Sequence, residues 1–168
     1  MGAPVDVARD DATQAGDPMD QREQIRSKIV LSGHDYWQSK RQGRRMPSRA
    51  DLDPPLEVPQ LVPSIILLDV LREPLDFRYR LIGTKVRGYL MRDLTGRRMS
   101  EIDFQRPPST IWSHQEWVVE NREPRFMQPP YVGPHRDFMF IDAVILPLGA
   151  DPATVDMLMV FVDFATRR

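Results

Sequence analysis

Two apolar runs dominate the hydrophobic pattern of the chain, 138–146 and 155–164. Both are rich in β-branched and aromatic residues. The connector Pro147-Leu148-Gly149-Ala150-Asp151-Pro152-Ala153-Thr154 is rich in turn formers. The pattern predicts a long antiparallel hairpin with a polar loop. Alternation is imperfect because both faces of each run are largely apolar. A strand of that kind is central in a sheet, covered on one side by its own domain and on the other by a helix or a partner.

Upstream, Ser64 to Val70 reads as a strand and Arg72 to Asp76 as a turn. Phe77-Arg78-Tyr79-Arg80-Leu81-Ile82 alternates apolar with basic, a half-exposed strand closed by Gly83. Lys85 to Met91 makes about two helical turns, and Met99 to Phe104 a shorter piece. Ser109 is placed to cap the one long helix, which runs to about Asn121, where Pro124 stops it. Ile111, His114, Gln115, Val118 and Arg122 fall along one side of it, with Trp117 beside them. Arg125 to Tyr131 is extended, and its two prolines suit an edge strand. The sheet is therefore antiparallel, and the helices between its second and third strands cover one face.

The N-terminal part is less regular. Residues 1–21 are small, polar and acidic, and are expected to form a disordered tail. Residues 22–45 form a helical extension. Ile25, Ile29 and Val30 make a short stripe that Ser32-Gly33 interrupts, and Asp35-Tyr36-Trp37 opens a second, basic segment. The extension is either a short helix outside the core, stapled down by Tyr36 and Trp37, or a dimerisation helix. Residues 46–168 form the domain proper. Ser48 and Asp53 stand as helix N-caps, and Pro54 sits where the first helical position tolerates proline.

Composition narrows the class. A chain of 168 residues suits one domain with a core of its own. The net charge of -1 and the absence of cysteine steer away from nucleic acid, anionic membranes, disulfides and thiolate metal sites. Zero cysteines also suit a reducing cytoplasm. No apolar run reaches the roughly 18 residues of a membrane helix, and no secretory leader pattern opens the chain. There is no nucleophile motif, no glycine-rich phosphate loop and no metal-ligand spacing around His34, His114 or His135. The basic run Lys40-Arg41-Gln42-Gly43-Arg44-Arg45 reads as a solvated surface.

Three stretches together resemble a family of stand-alone alphaproteobacterial PAS proteins, once a domain of unknown function. They are Trp37…Arg45-Met46-Pro47-Ser48-Arg49-Ala50-Asp51-Leu52-Asp53-Pro54, Phe77-Arg78-Tyr79-Arg80-Leu81-Ile82-Gly83-Thr84 and Leu146-Pro147-Leu148. The segment Asp93 to Ile102 is similar to the turn and short helix that precede the long helix of many PAS domains. The resemblance covers about residues 36–164. It implies an α+β fold with a five-stranded antiparallel sheet in the order 2-1-5-4-3, helices on one face and the last strand in the middle.

The resemblance further implies a non-catalytic sensory module with no kinase, cyclase or DNA-binding domain attached. Such a module acts through a protein partner or as a homodimer, on the exposed face of its sheet. A small apolar ligand would lie between the long helix and the sheet, its identity and any cofactor unknown. Candidate ligand-binding residues are Tyr89, His114, Trp117, Met139, Met159 and Arg80, with Trp112 also inward. His114 is either a structural histidine or a haem ligand; the absence of cysteine excludes a flavin photoadduct. Arg80 either pairs with Asp69, and through the implied strand order with Asp163, or holds an anionic ligand group. The alternative from another class is a small isomerase or dehydratase, which requires His114 to cluster with Asp142 or Asp163 in a polar cavity.

Overall fold

In the computed structural model, which describes residues 18–90, 92–129 and 140–165, five strands form one antiparallel sheet in the order β2-β1-β5-β4-β3. They are β1 (Ile65–Leu71), β2 (Asp76–Ile82), β3 (Arg125–Met127), β4 (Phe140–Leu148) and β5 (Met157–Ala165). β5 lies in the middle, pairing with β1 and with β4, as its two apolar faces require. β3 is an edge strand, with β2 at the opposite edge. β4 continues through Pro147 and Leu148, which the hydrophobic pattern assigned to the loop, and β5 starts two residues later than that pattern suggested. Proline lacks only the N–H: Pro147 still sits opposite Leu158, and its carbonyl accepts a hydrogen bond from Trp37 Nε1 at 2.8 Å.

The inner face carries Ile141, Ala143 and Ile145 of β4 opposite Phe164, Val162 and Val160 of β5. Over it lie α4 (Thr84–Leu90) and α5 (Thr110–Asn121). Ser109 caps α5, its Oγ accepting from the Trp112 amide at 3.2 Å.

The outer face is where the structure corrects the sequence. The N-terminal extension is not a helix outside the core. It forms α1 (Pro18–Gln24) and α2 (Lys28–Arg41), and α2 lies on β4 and β5. Val30 and Trp37 are completely buried and belong to the same core cluster as the sheet. Nor does Ser32-Gly33 break the helix. The break is at residues 25–27, and Ser27 is the cap, its Oγ accepting from the Val30 amide at 3.2 Å. Gly33 lies within the helix, and it is glycine because a Cβ there would lie 2.3 Å from Cγ of buried Phe161. A residue that reads as a helix breaker is a packing residue. Pro18 to Gln21, assigned to the tail, belong to α1, while residues 1–17 lie outside the described residues.

The string from Arg45 to Pro54 ties the end of α2 to the rest. Asp53 caps α3 (Pro54–Glu57), accepting from the Leu56 amide. Tyr36 Oη donates to Glu57 Oε1 at 2.9 Å and accepts from the Asp53 amide at 3.0 Å. Burial first, then that bond to Glu57, push the Tyr36 phenol up to about 12. The Gly149 amide donates to the Pro47 carbonyl, joining this string to the hairpin loop. The basic run lies at the surface, with Gln42 to Arg45 exposed, and its side chains are partnered there. Lys40 pairs with Glu57, Arg44 with Asp51, Arg41 stacks on the Trp37 ring, and Arg45 donates to the Asn121 carbonyl.

Candidate functional site, an apolar cavity under the long helix

Between α4, α5 and the inner sheet face lies a cavity of about 260 Å³. Its floor is Ile66 and Leu68 of β1 and the inward residues of β4 and β5; its walls include Val86 and Leu90 of α4, and Ile111 and Gln115 of α5. Tyr79, Gln105 and Ser109 stand among the polar residues on its border. Among the described residues, none that lines it carries a charged side chain. Phe104 lines the cavity and is 46% exposed, so it stands at the mouth. Its ring lies 6.0 Å from the Arg92 guanidinium.

The polar groups form a short network. Tyr79 Oη donates to Gln105 Oε1 at 2.8 Å, and Ser109 Oγ donates to the Gln105 carbonyl at 2.6 Å. Burial raises the Tyr79 phenol far above its ordinary value, so it stays a neutral donor. Gln115 is 2% exposed, and its Oε1 has no hydrogen-bond partner among the described residues.

None of the described candidate residues named from the sequence lines this cavity. His114 is half-buried on the flank of α5, where Arg125 Nε donates to its Nδ1 at 2.6 Å. Burial, then the Arg125 charge, lower its pKa to about 4. Trp117 lies under the same guanidinium, 4.7 Å from ring centre to Cζ. Tyr89 stacks on Phe164, a lining residue, at 4.3 Å. Trp112 is buried and meets Phe77 edge-on at 5.0 Å. Met159 sits in the register pair with Leu146, on the outer face beside Phe161. Met139 lies outside the described residues. Arg80 has 62% of its side chain exposed and reaches Asp69 at 3.7 Å. The strand partner of Asp69 is Arg78, at 3.2 Å, because the register shifts between Leu67 and Leu68.

Asp142 and Asp163 do not meet His114. They are register partners on the outer face. Asp142 Oδ2 accepts from the Arg26 and Ser27 amides at 2.9 Å each, and its Oδ1 accepts from Gln128 Nε2 at 2.8 Å. Asp163 accepts from Ser27 Oγ at 2.7 Å and from Lys85 Nζ at 3.0 Å. Both carboxylates thus hold the N-terminus of α2, where the helix dipole favours negative charge. The cluster that would have supported an isomerase or dehydratase is absent among the described residues, and so is any group of three metal-ligating side chains. No helix among them is long and apolar enough to cross a membrane.

A five-stranded sheet in this order, closed by helices around an apolar cavity, defines a sensor-type α+β domain. The chain belongs to the PAS domain family, whose model matches residues 25–160. The match begins at Ile25, so α2 lies within it. Solved structures similar to the chain match it at low identity. The PAS domain of the histidine kinase ThkA is 21% identical with a TM-score of 0.42, over 60% of this chain and 96% of that one. A fungal LOV domain photoreceptor is 15% identical with a TM-score of 0.47, over 80% and 91%. A sensory box sensor histidine kinase from Vibrio cholerae is 15% identical with a TM-score of 0.45, over 67% and 92%. No curated protein matches the chain.

Gln115 carries the signal that sequence reasoning passed over. At about 100° per residue, it lies about 40° from Ile111 around α5, whereas His114 lies about 60° to the other side. Trp112 and Val118 are buried, and they place the middle of the inward side nearer Gln115 than His114. The histidine attracted attention by its chemistry, not by its angle.

Proposed function

We propose that the chain is a non-catalytic sensory module that reports occupancy of its cavity to a protein partner. The observation that carries this reading is the 260 Å³ cavity, whose described lining is apolar and uncharged. An engineered cavity of about 150 Å³ holds benzene, so this one has room for on the order of ten non-hydrogen atoms. A route out of the cavity supports the regulatory part. Val86 and Leu90 line the cavity from α4, and Lys85 on the same helix bonds Asp163, which bonds Ser27 at the cap of α2. A ligand that moves α4 acts on the seat of α2 on the other face. The partner surface is then α2 with the exposed part of β2, where Arg80 and Leu81 are exposed, rather than the whole outer face of the sheet. Self-association and a cytoplasmic setting belong to this reading.

The test is a native mass spectrum of the purified protein beside its denatured mass. Extra mass that leaves on denaturation identifies a ligand, and a doubled mass identifies a homodimer. A bare protein that also takes up no small apolar probe defeats the ligand-sensing reading.

A further inference from the structure

We infer that the cavity selects neutral, largely apolar ligands that donate one hydrogen bond, and that Gln115 Oε1 is the acceptor that reads the donor. This rests on the cavity being a ligand site, as proposed above. The Gln115 amide is 2% exposed, lines the cavity, and leaves its oxygen unpartnered among the described residues. Buried polar atoms in folded proteins are almost always hydrogen-bonded, so an orphan on a side chain that lines a cavity points to a partner that would enter it. An amide oxygen can only accept. The hydroxyls of Tyr79 and Ser109 do not reach it, since they donate to Gln105 Oε1 and the Gln105 carbonyl. The protein therefore has an acceptor to offer, and the donor must come from the ligand. Among the described residues the lining carries no charged side chain, so an ionised ligand would find no counter-charge among them. The remaining lining is mostly hydrocarbon, which matches an apolar body. The class is a small neutral molecule with a single N–H or O–H on an apolar frame. Phe104, at the mouth, is the side chain that such a ligand passes.

Three bicyclic probes of nearly equal shape test this by titration calorimetry on the full chain. Indole carries an N–H donor, indene carries no polar atom, and benzofuran carries only an acceptor. Indole should bind about tenfold more tightly than either of the others. In Gln115→Met, which keeps length and removes the acceptor, the three should bind within about twofold of one another. The melting temperature of that variant should not fall, because no protein hydrogen bond to this oxygen is lost. Equal binding of the three probes by the natural chain overturns the inference and leaves the cavity as a ligand site. Preference for benzofuran overturns it too, since Gln115 would then be presenting its N–H. A clear drop in melting temperature for Gln115→Met also overturns it, by showing that the amide is a structural brace. Failure of all three probes to bind removes the cavity reading itself.

Discussion

The two faces of the sheet are built from the same kinds of side chain and end in opposite states. On the outer face α2 approaches so closely that position 33 has room for glycine alone: a Cβ would meet the Phe161 ring at 2.3 Å. Trp37 is completely buried there, with its only polar atom bonded to the Pro147 carbonyl. On the inner face α4 and α5 stand off from the strands and leave about 260 Å³ unfilled, lined in part by Gln115, whose amide oxygen is unpartnered among the described residues. Interiors ordinarily pack to crystal density. The outer face obeys that rule and the inner face departs from it. The contrast shows that the void does not come from a poor supply of large side chains. It belongs to the face that the sensory reading needs, and the packed face carries the helix that would be moved.

The sharpest way to break the comparison is to make the outer face resemble the inner one. Trp37→Ala opens a cavity beneath α2 and strands the Pro147 carbonyl. We expect a loss of about 3–5 kcal/mol in unfolding free energy, measured by urea titration. A loss below about 1 kcal/mol would mean that α2 is not part of the core, and the contrast between the faces would fail.

The rim of the inner face gives the next effect, through pH. His114 ionises at about 4 in the folded chain, lowered first by burial and then by Arg125, against about 6.5 for an unfolded histidine. Between those values the unfolded chain binds a proton that the folded chain refuses. The contribution is therefore fully present above about pH 6.5 and is lost as pH falls toward about 4. Because the ring is half-buried and screened by solvent, about 1–2 kcal/mol is expected. His34 is also lowered, first by burial, and drifts in the same sense, so the measurement is a difference. In His114→Gln the slope of stability against pH across this window should flatten by the His114 share. An unchanged slope would show that the fold does not hold His114 below its ordinary value.

How much of this could be read in advance differs between the two faces as well. The strands and the long helix were legible, because period-two and period-3.6 patterns and the Ser109 cap are local signals. The sheet order and the central place of β5 came with the resemblance carried by the strings at 45–54 and 77–84. The packing of α2 was not legible, since Gly33 is explained by Phe161, a residue 128 positions away that no local pattern connects to it. The cavity was not legible either. A void has no sequence, and the residues around it, such as Leu68, Ala143 and Val162, read as ordinary core. Arg80 and Met159 were sound strand residues whose face was set by a register shift and by strand pairing, both of which are properties of the assembled sheet.

The smallest expected effect sharpens the comparison most. Ala143 is 2% exposed, lies at the centre of β4 between Met127 and Val162, and lines the cavity. In a packed core, adding two methyl groups at such a site costs roughly 1–3 kcal/mol in forced rotamers and backbone shifts. Here the added groups point to open space, and valine suits a strand better than alanine does. Ala143→Val should therefore change stability by less than about 1 kcal/mol, with a gain more expected than a loss, as for other cavity-filling substitutions. The same change takes volume from the ligand, so indole binding should weaken markedly while the fold is kept. A loss of more than about 2 kcal/mol by urea titration would show that the inner face is as tightly packed at Ala143 as the outer face is at Gly33. Stability kept but binding also kept would place the probe elsewhere. Only the combination of an undisturbed fold and weakened binding assigns the unfilled volume to a ligand rather than to a flaw in packing.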